Sequence, residues 1–153
     1  MFSLSKIIKE NGVVIDLRAN DRFKVIKEIV LELSKAQKID KDDIPGLMRD
    51  LIDKERVSSA ERYGYAFPHT KHPCITKLII AIGLSKTGID WDSKDGKPVN
   101  IVFLCLAPAD AIGSFLNVMS RLSYLIKSSG FDTFKKCNSN TILKAIERAE
   151  REI

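Results

Sequence analysis

Two nearly continuous apolar runs constrain the fold of this chain more than any other feature. Residues Lys77–Leu84 read KLIIAIGL and residues Asn100–Ala107 read NIVFLCLA, with many β-branched side chains. Strands that are covered on both faces of a sheet have this composition, whereas half-exposed strands alternate apolar and polar residues. The two runs therefore predict central strands with helices packed on both sides. Between them, Asp95-Gly96 is a strong turn signal.

Four amphipathic helices are predicted by apolar side chains that recur every three or four residues. Their apolar positions are Phe23, Ile26, Ile29, Val30 and Leu33; Ile44, Leu47, Met48, Leu51 and Ile52; Ile112, Phe115, Leu116, Met119, Leu122 and Ile126; and Ile142, Leu143, Ile146 and Ala149. Asn20 or Asp21 can cap the first helix. A short strand is predicted at 13–17 and an irregular segment at 56–73. Strands interspersed with helices predict an α/β (α+β-like) fold, a mixed sheet flanked by helices, in a single domain of residues 1–153.

Composition narrows the class of protein. The chain has 153 residues, of which 44% are hydrophobic and 29% charged, as in ordinary globular proteins. No stretch approaches the ~20 apolar residues of a membrane-spanning helix, and we identify no secretory signal. Cys74, Cys105 and Cys137 are widely spaced and form no CxxC pair, which favours reduced thiols and a cytoplasmic location. The net charge of +5 is spread along the chain and mixed with acids, so nucleic-acid binding is not expected.

The two histidines of the chain, His69 and His72, both lie in the run AFPHTKHP. Neutral imidazole is a good nucleophile near pH 7, so histidine suits reversible phosphoryl transfer. Such a site needs an imidazole on a fixed turn with hydrogen-bond donors around the phosphoryl oxygens. Pro68 stiffens the backbone before His69, and nearby donors in the sequence are Ser58, Ser59, Arg62, Thr70 and Lys71. On this pattern alone, an ordinary surface histidine is the simpler interpretation.

Two other chemistries fit the same segment less well. The HxxH spacing of His69 and His72 can ligate zinc, but no cluster of cysteines or carboxylates accompanies it. Cys74 lies close to His72 and could act as a nucleophile, yet no oxyanion-hole loop or orienting acid is identifiable. We therefore expect neither a metal nor a cofactor.

The segment SSAERYGYAFPHTKHPCI resembles the active-site segment of type-2 enzyme IIA domains of the bacterial sugar phosphotransferase system, the fructose, mannitol and nitrogen-regulatory branch. The shared pattern is a Ser/Thr pair, a glycine and a G-x-A-x-P-H run, here Ser58-Ser59, Gly64, Ala66, Pro68 and His69. The resemblance continues through LIIAIGLSKTGIDWDSKDGKPVNIVFLCLAPAD, which carries the family's DG-x-PV at 95–99. The opening helix and strand and the closing helices also fit, so nearly the whole chain is covered.

The resemblance implies that His69 receives a phosphoryl group from an HPr-like phosphocarrier protein and passes it to an enzyme IIB or signals by its phosphorylation state to a regulatory target. It implies a mixed sheet flanked by helices, with His69 in a shallow exposed depression, and neither membrane insertion nor nucleic acid. Candidate supporting residues are Ser58, Ser59, Lys54, Arg56, Lys71 and His72. A free-standing IIA favours regulation over dedicated sugar uptake.

Two positions depart from the family pattern. Phe115 stands in GSFL, where the family usually has a second histidine in a G-x-H-L setting. Asp53 stands where an arginine usually precedes the Ser/Thr pair, and Lys54 or Arg56 are the available substitutes. These departures motivate the alternative hypothesis, a regulatory protein-binding module with a degenerate IIA site that is not phosphorylated.

Overall fold

A β-sheet lies at the centre of the protein, and helices cover both of its faces. The structure is a computed structural model that describes residues 3–57, 59 and 61–152. In chain order the elements are α1 (Leu4–Asn11), β1 (Val14–Asp16), α2 (Arg22–Lys35), α3 (Ile44–Val57), β2 (Glu61–Arg62), β3 (Tyr65–Ala66), β4 (His69–His72), β5 (Ile79–Ile89), β6 (Val99–Pro108), α4 (Ser114–Ser129) and α5 (Ile142–Arg151). None of the helices in the described ranges is long and apolar enough to cross a membrane.

Strand β6 organises the sheet, because strands pair with it along both of its edges. On one edge it pairs antiparallel with β5, which in turn pairs parallel with β1. On the other edge it pairs parallel with both β3 and β4, and β2 forms a hairpin with β3. The two apolar runs are thus neighbouring central strands, and the predicted mixed sheet is confirmed.

Alternate side chains of β6 belong to two separate apolar cores. Ile101, Phe103 and Cys105 face the layer of α1, α4 and α5. Val102, Leu104 and Leu106 face the layer of α2 and α3. Because side chains alternate along a strand, a run that is apolar at every position can fill both cores. This arrangement confirms the prediction of helices on both sides.

Two features of the predicted elements differ in the structure. Residues 56–73, predicted to be irregular, contain the short strands β2, β3 and β4, whose two to four residues are too few to show a pattern. In the helix predicted after Pro108, Ile112 and Leu116 do not join the core, since the two residues are 95% and 74% exposed. Ile112 precedes α4, and Leu116 lies on the outward face of a helix that buries Val118, Leu122 and Leu125.

Candidate functional site

His69 is placed by a break in the strand that runs along the edge of β6. Strands β3 and β4 pair with β6 in the same register, so that Ala66 is opposite Val102 and His69 is opposite Cys105. Between them lies Pro68, which has no N–H to donate, although its carbonyl accepts from the Cys105 N–H at 3.0 Å. Residues in register share a face, and His69 therefore points to the side covered by α4.

A backbone hydrogen bond selects one tautomer of the neutral imidazole of His69. The Nδ1 atom lies 2.7 Å from the carbonyl oxygen of Phe67. A carbonyl can only accept, so Nδ1 carries the proton in the neutral ring and Nε2 keeps its lone pair. The side chain is half-buried. The site thus presents a single nucleophilic nitrogen on an oriented ring.

Phe115, which the resemblance places at the position of a second histidine, packs directly on His69. The two ring centroids are 4.8 Å apart with an interplanar angle of 62°, an edge-to-face arrangement. The Nζ atom of Lys54 lies 5.7 Å from the centroid of the same phenyl ring, within range of a cation–π contact. The phenyl ring of Phe115 therefore contacts both the imidazole of His69 and the Lys54 ammonium group.

The N-terminus of α4 adds backbone donors beside this cluster. Gly113 precedes the helix with φ of 74°, a left-handed conformation that suits glycine, and it has no side chain to cap the first turn. Phe115 is the second residue of the helix, so its contact with His69 brings the first turn close to the imidazole. The N–H groups of a first turn and the helix dipole attract anions.

Ser59 belongs to a hydrogen-bond network that the sequence analysis missed. Its hydroxyl donates to Oε1 of Glu55 at 2.5 Å, and the indole Nε1–H of Trp91 donates to the same carboxylate oxygen at 2.7 Å. Glu55 is 4% exposed and Trp91 fully buried. The single hydroxyl proton of Ser59 is thus used by Glu55. Two features of the sequence could have indicated this network: Trp91 is the single tryptophan of the chain, and Glu55 lies four residues before Ser59. Ser58 lies outside the described residues.

The other predicted supporting side chains lie in three different places. Lys71 donates from Nζ to the carbonyl of Ala111 at 2.6 Å and ties β4 to the loop before α4. Arg56 lies 5.4 Å from the ring of Phe23 in α2, whereas Lys54, two residues earlier in α3, reaches Phe115. Asp53 is an exposed residue of α3.

His72 lies on the opposite face of β4 from His69. Its Nδ1 accepts from the Cys74 N–H at 3.1 Å, and its Nε2 is 3.8 Å from a carboxylate oxygen of Asp50 in α3. Side chains three residues apart on a strand point to opposite faces, so His69 and His72 cannot hold one metal ion together. Within the described ranges, no group of three or more His, Cys, Asp or Glu side chains is arranged to bind a metal.

The thiol of Cys74 is a poor candidate for a nucleophile. Burial, and secondarily the nearby carboxylate of Asp43, raises the pKa of Cys74 above its ordinary value. The thiolate is the reactive form, and a raised pKa makes it scarcer near neutral pH. The geometry therefore favours the imidazole of His69 over this cysteine.

Comparison with known proteins shows similarity over almost the whole chain. The model of the family described as "Phosphoenolpyruvate-dependent sugar phosphotransferase system, EIIA 2" matches residues 6–149. The chain is 31% identical over 124 residues to the PTS system fructose-specific EIIABC component of Bacillus subtilis (strain 168), which covers 80% of this chain but only 19% of that relative. It therefore spans about a fifth of the length of that multicomponent protein.

Two further similarities involve nitrogen-regulatory proteins. A Nitrogen regulatory protein of Bradyrhizobium diazoefficiens is 26% identical over 144 residues, covering 94% of this chain and 91% of the relative. The crystal structure of Nitrogen Regulatory Protein IIA-Ntr from Neisseria meningitidis superposes with a TM-score of 0.74 at 22% identity, covering 94% of this chain and 98% of that one. The latter similarity shows the shared fold.

Proposed function

Because the chain belongs to the EIIA 2 family of the phosphoenolpyruvate-dependent sugar phosphotransferase system, we propose that it is a phosphocarrier whose acceptor atom is Nε2 of His69. The donor is an HPr-like phosphocarrier protein. The recipient is an enzyme IIB, or else the phosphorylation state itself is read by a regulatory target, as the similarity to nitrogen-regulatory proteins favours. The protein acts in the cytoplasm.

The observation that carries the proposal is the hydrogen bond from Nδ1 of His69 to the carbonyl of Phe67. It leaves the lone pair of Nε2 available for attack on the phosphorus of the incoming phosphohistidine. The donor's N–P bond breaks as the new N–P bond forms, and the electron pair of the broken bond stays on the donor's imidazole. The Nδ1–H bond to Phe67 is kept throughout, so the ring does not reorient.

The phosphoryl oxygens are expected to be stabilised by the first turn of α4 and by Lys54. The uncapped turn offers N–H groups and the positive end of a 16-residue helix. Lys54 is exposed, and its ammonium group lies at the Phe115 ring that contacts His69, so it is the cation of α3 placed to approach a phosphoryl group on His69. Ser59 contributes indirectly, because its proton is already donated to Glu55.

A phosphorylation assay tests this proposal. The wild-type protein, His69→Gln and the matched control His72→Gln are incubated with labelled phosphoenolpyruvate, enzyme I and the cognate HPr-like protein. We expect acid-labile label on the wild type and on His72→Gln, and a loss of at least about a thousandfold in rate for His69→Gln, since the nucleophile itself is removed. Label that persists on His69→Gln, or an unlabelled wild type beside phosphorylated HPr, would contradict the proposal.

The contact between Phe115 and His69 favours a second candidate, a regulatory binding module that has lost phosphotransfer. A phenyl ring cannot donate a hydrogen bond to a phosphoryl group, and it excludes water from one side of the imidazole. The variant Phe115→His distinguishes the two candidates in the same assay. Label on the variant but not on the wild type would support the binding module, whereas comparable label on both would support the phosphocarrier.

A further inference from the structure

The last turn of α3 contains a buried carboxylate at a position where helix electrostatics disfavour one. Past Leu51, Glu55 is the one buried residue of α3 among those that the structure describes, and it is 4% exposed. The C-terminus of a helix carries partial negative charge, so an acid two residues before the helix ends at Val57 is unfavourable by itself. Burial adds a desolvation cost unless the carboxylate has partners. The position of Glu55 therefore depends on the partners that it finds inside the protein.

The partners of Glu55 form a closed triangle of hydrogen bonds. The indole Nε1–H of Trp91 donates to Oε1 of Glu55 at 2.7 Å and is shared with the hydroxyl oxygen of Ser59 at 3.1 Å. The Ser59 hydroxyl donates to the same Oε1 at 2.5 Å. Buried side chains that satisfy one another in this way hold each other in one arrangement. The triangle thus joins the end of α3 to Ser59, which follows the helix, and to Trp91.

Trp91 is a fixed point for this triangle. It follows the end of β5 by two residues, is fully buried, and belongs to the core that faces α2 and α3. Asp90, immediately before it, forms a parallel bridge with Asp21, the residue that caps α2. A large ring in a close-packed core cannot shift without disturbing its neighbours. The hydrogen bond from Trp91 to Glu55 therefore anchors the last turn of α3 to the body of the protein.

The direction in which Glu55 points sets the directions of its two neighbours in the helix. Successive residues of a helix are turned by about 100°, so an inward Glu55 directs Lys54 and Arg56 to either side of α3. The Lys54 ammonium group lies over the ring of Phe115 in α4. The Arg56 guanidinium lies over the ring of Phe23 in α2. A rotation of the last turn would therefore carry the Lys54 ammonium group away from Phe115.

We propose that Glu55 and Trp91 position Lys54 for phosphoryl transfer to His69. This inference rests on the proposed function, because Lys54 is the cation that stabilises the transferred group in that reaction. Glu55 and Trp91 are positioning residues: they fix the last turn of α3, and through it the direction of the Lys54 side chain. A charge that is already in place when the phosphoryl group arrives needs no reorganisation during the transfer, so the rate of transfer rises.

A double-mutant cycle in the full chain tests this proposal. Trp91→Phe keeps a buried aromatic ring and removes the indole N–H. With saturating phosphorylated HPr, it should lower the rate of transfer to His69 by about fivefold to tenfold and leave the apparent KM unchanged. In the Lys54→Met background it should cost less than about twofold, because the residue through which it acts is gone. Equal losses in the two backgrounds, or no loss in a folded Trp91→Phe protein, would overturn the proposal.

Variants of Glu55 separate its hydrogen bond from a general effect on stability. Glu55→Met removes the acceptor and should slow transfer as much as Trp91→Phe, which it replaces if that variant does not fold. Glu55→Gln keeps an acceptor oxygen and should be at least about threefold faster than Glu55→Met. The control Ile146→Val destabilises the other core and should leave the rate unchanged. Equal rates in the two Glu55 variants, or an equal loss in Ile146→Val, would overturn the proposal.

An NMR measurement on the unphosphorylated protein tests the position of Lys54 without any phosphoryl transfer. The ε-methylene protons of Lys54 lie near the ring of Phe115, so its ring current shifts their resonances. These resonances should move toward ordinary lysine values in Trp91→Phe. If they stay in place while the wild type is phosphorylated, the positioning role is overturned and the phosphocarrier stands. If the wild type is not phosphorylated, the phosphocarrier is overturned and the Lys54 resonances decide the positioning role.

Discussion

The two histidines of β4 differ in almost every respect that matters for chemistry, although only two residues separate them. His69 faces α4, donates from Nδ1 to a carbonyl and keeps a free lone pair on Nε2. His72 faces α3, accepts at Nδ1 from a backbone N–H and directs Nε2 toward a carboxylate. The proton is therefore on opposite nitrogens of the two neutral rings. Residue type alone does not make a nucleophile, because the backbone partner selects the nitrogen that is available.

The different surroundings of the two histidines can be tested through their neighbours, and the largest effect on phosphoryl transfer is expected at Lys54. Lys54 and Arg56 are both cations of α3, but only Lys54 lies on the ring that contacts His69. Lys54→Met should lower the rate of phosphoryl transfer to His69 by about tenfold to a hundredfold, through loss of charge stabilisation. Arg56→Met is the control and should stay within about twofold. Rapid-quench kinetics with phosphorylated HPr measures both. Equal losses in the two variants would mean that general surface charge, not position, governs the rate.

A pH-dependent loss of stability is expected from Cys105, the residue of β6 that lies opposite His69 in the sheet. Burial raises the pKa of Cys105 from 9.0 to about 12. The unfolded thiol thus ionises before the folded one, and unfolding releases a proton between these values. Stability conferred by the buried thiol is complete below pH 9 and decreases above it, by about 1.4 kcal/mol per pH unit.

Urea unfolding at pH 8.5 and pH 10 measures this dependence. The free energy of unfolding of Cys105→Ala should fall less steeply with pH than that of the wild type. The smaller side chain lowers stability at both pH values, so the slopes are compared and not the absolute stabilities. The variant Cys74→Ala, beside His72, tests the other face of β4 and should reduce the slope less, because Cys74 is only half-buried. Identical slopes for the wild type and Cys105→Ala would contradict the assignment to Cys105.

The smallest effect is expected at Ser59. The variant Ser59→Ala should cost about 1 kcal/mol of stability, because Glu55 loses one of its two donors within a buried network. Its phosphorylation rate should fall less than that of Lys54→Met, since the Ser59 proton points to Glu55. Urea denaturation and the kinetic assay together test this order. A rate loss greater than that of Lys54→Met would show that the hydroxyl leaves Glu55 and binds the phosphoryl group.

Much of the fold was predictable because its signals are local. The two apolar runs predicted the central strands, and the four amphipathic patterns predicted α2 to α5. The order of motifs around His69 identified the family, and the family model that matches residues 6–149 confirmed it. Strands β3 and β4 were missed because they pair with the edge of β6, which is far away in the sequence. Strand β2, which pairs with β3, was missed because its two residues are too few to show a pattern. The outward position of Leu116 was missed because neighbouring residues of a helix point in different directions. Leu116 therefore faces solvent although the adjacent Phe115 does not.

The sequence by itself therefore determined the layers of the fold and the segment that holds the candidate acceptor. Only the tertiary structure decided which imidazole nitrogen is free, that Lys54 and not Arg56 reaches the cluster, and that the Ser59 proton belongs to Glu55. The physical reason is one of range. Hydrophobic periodicity is written along a few consecutive residues, whereas a hydrogen-bond partner or a ring contact joins side chains from separate elements whose spacing only the folded chain sets.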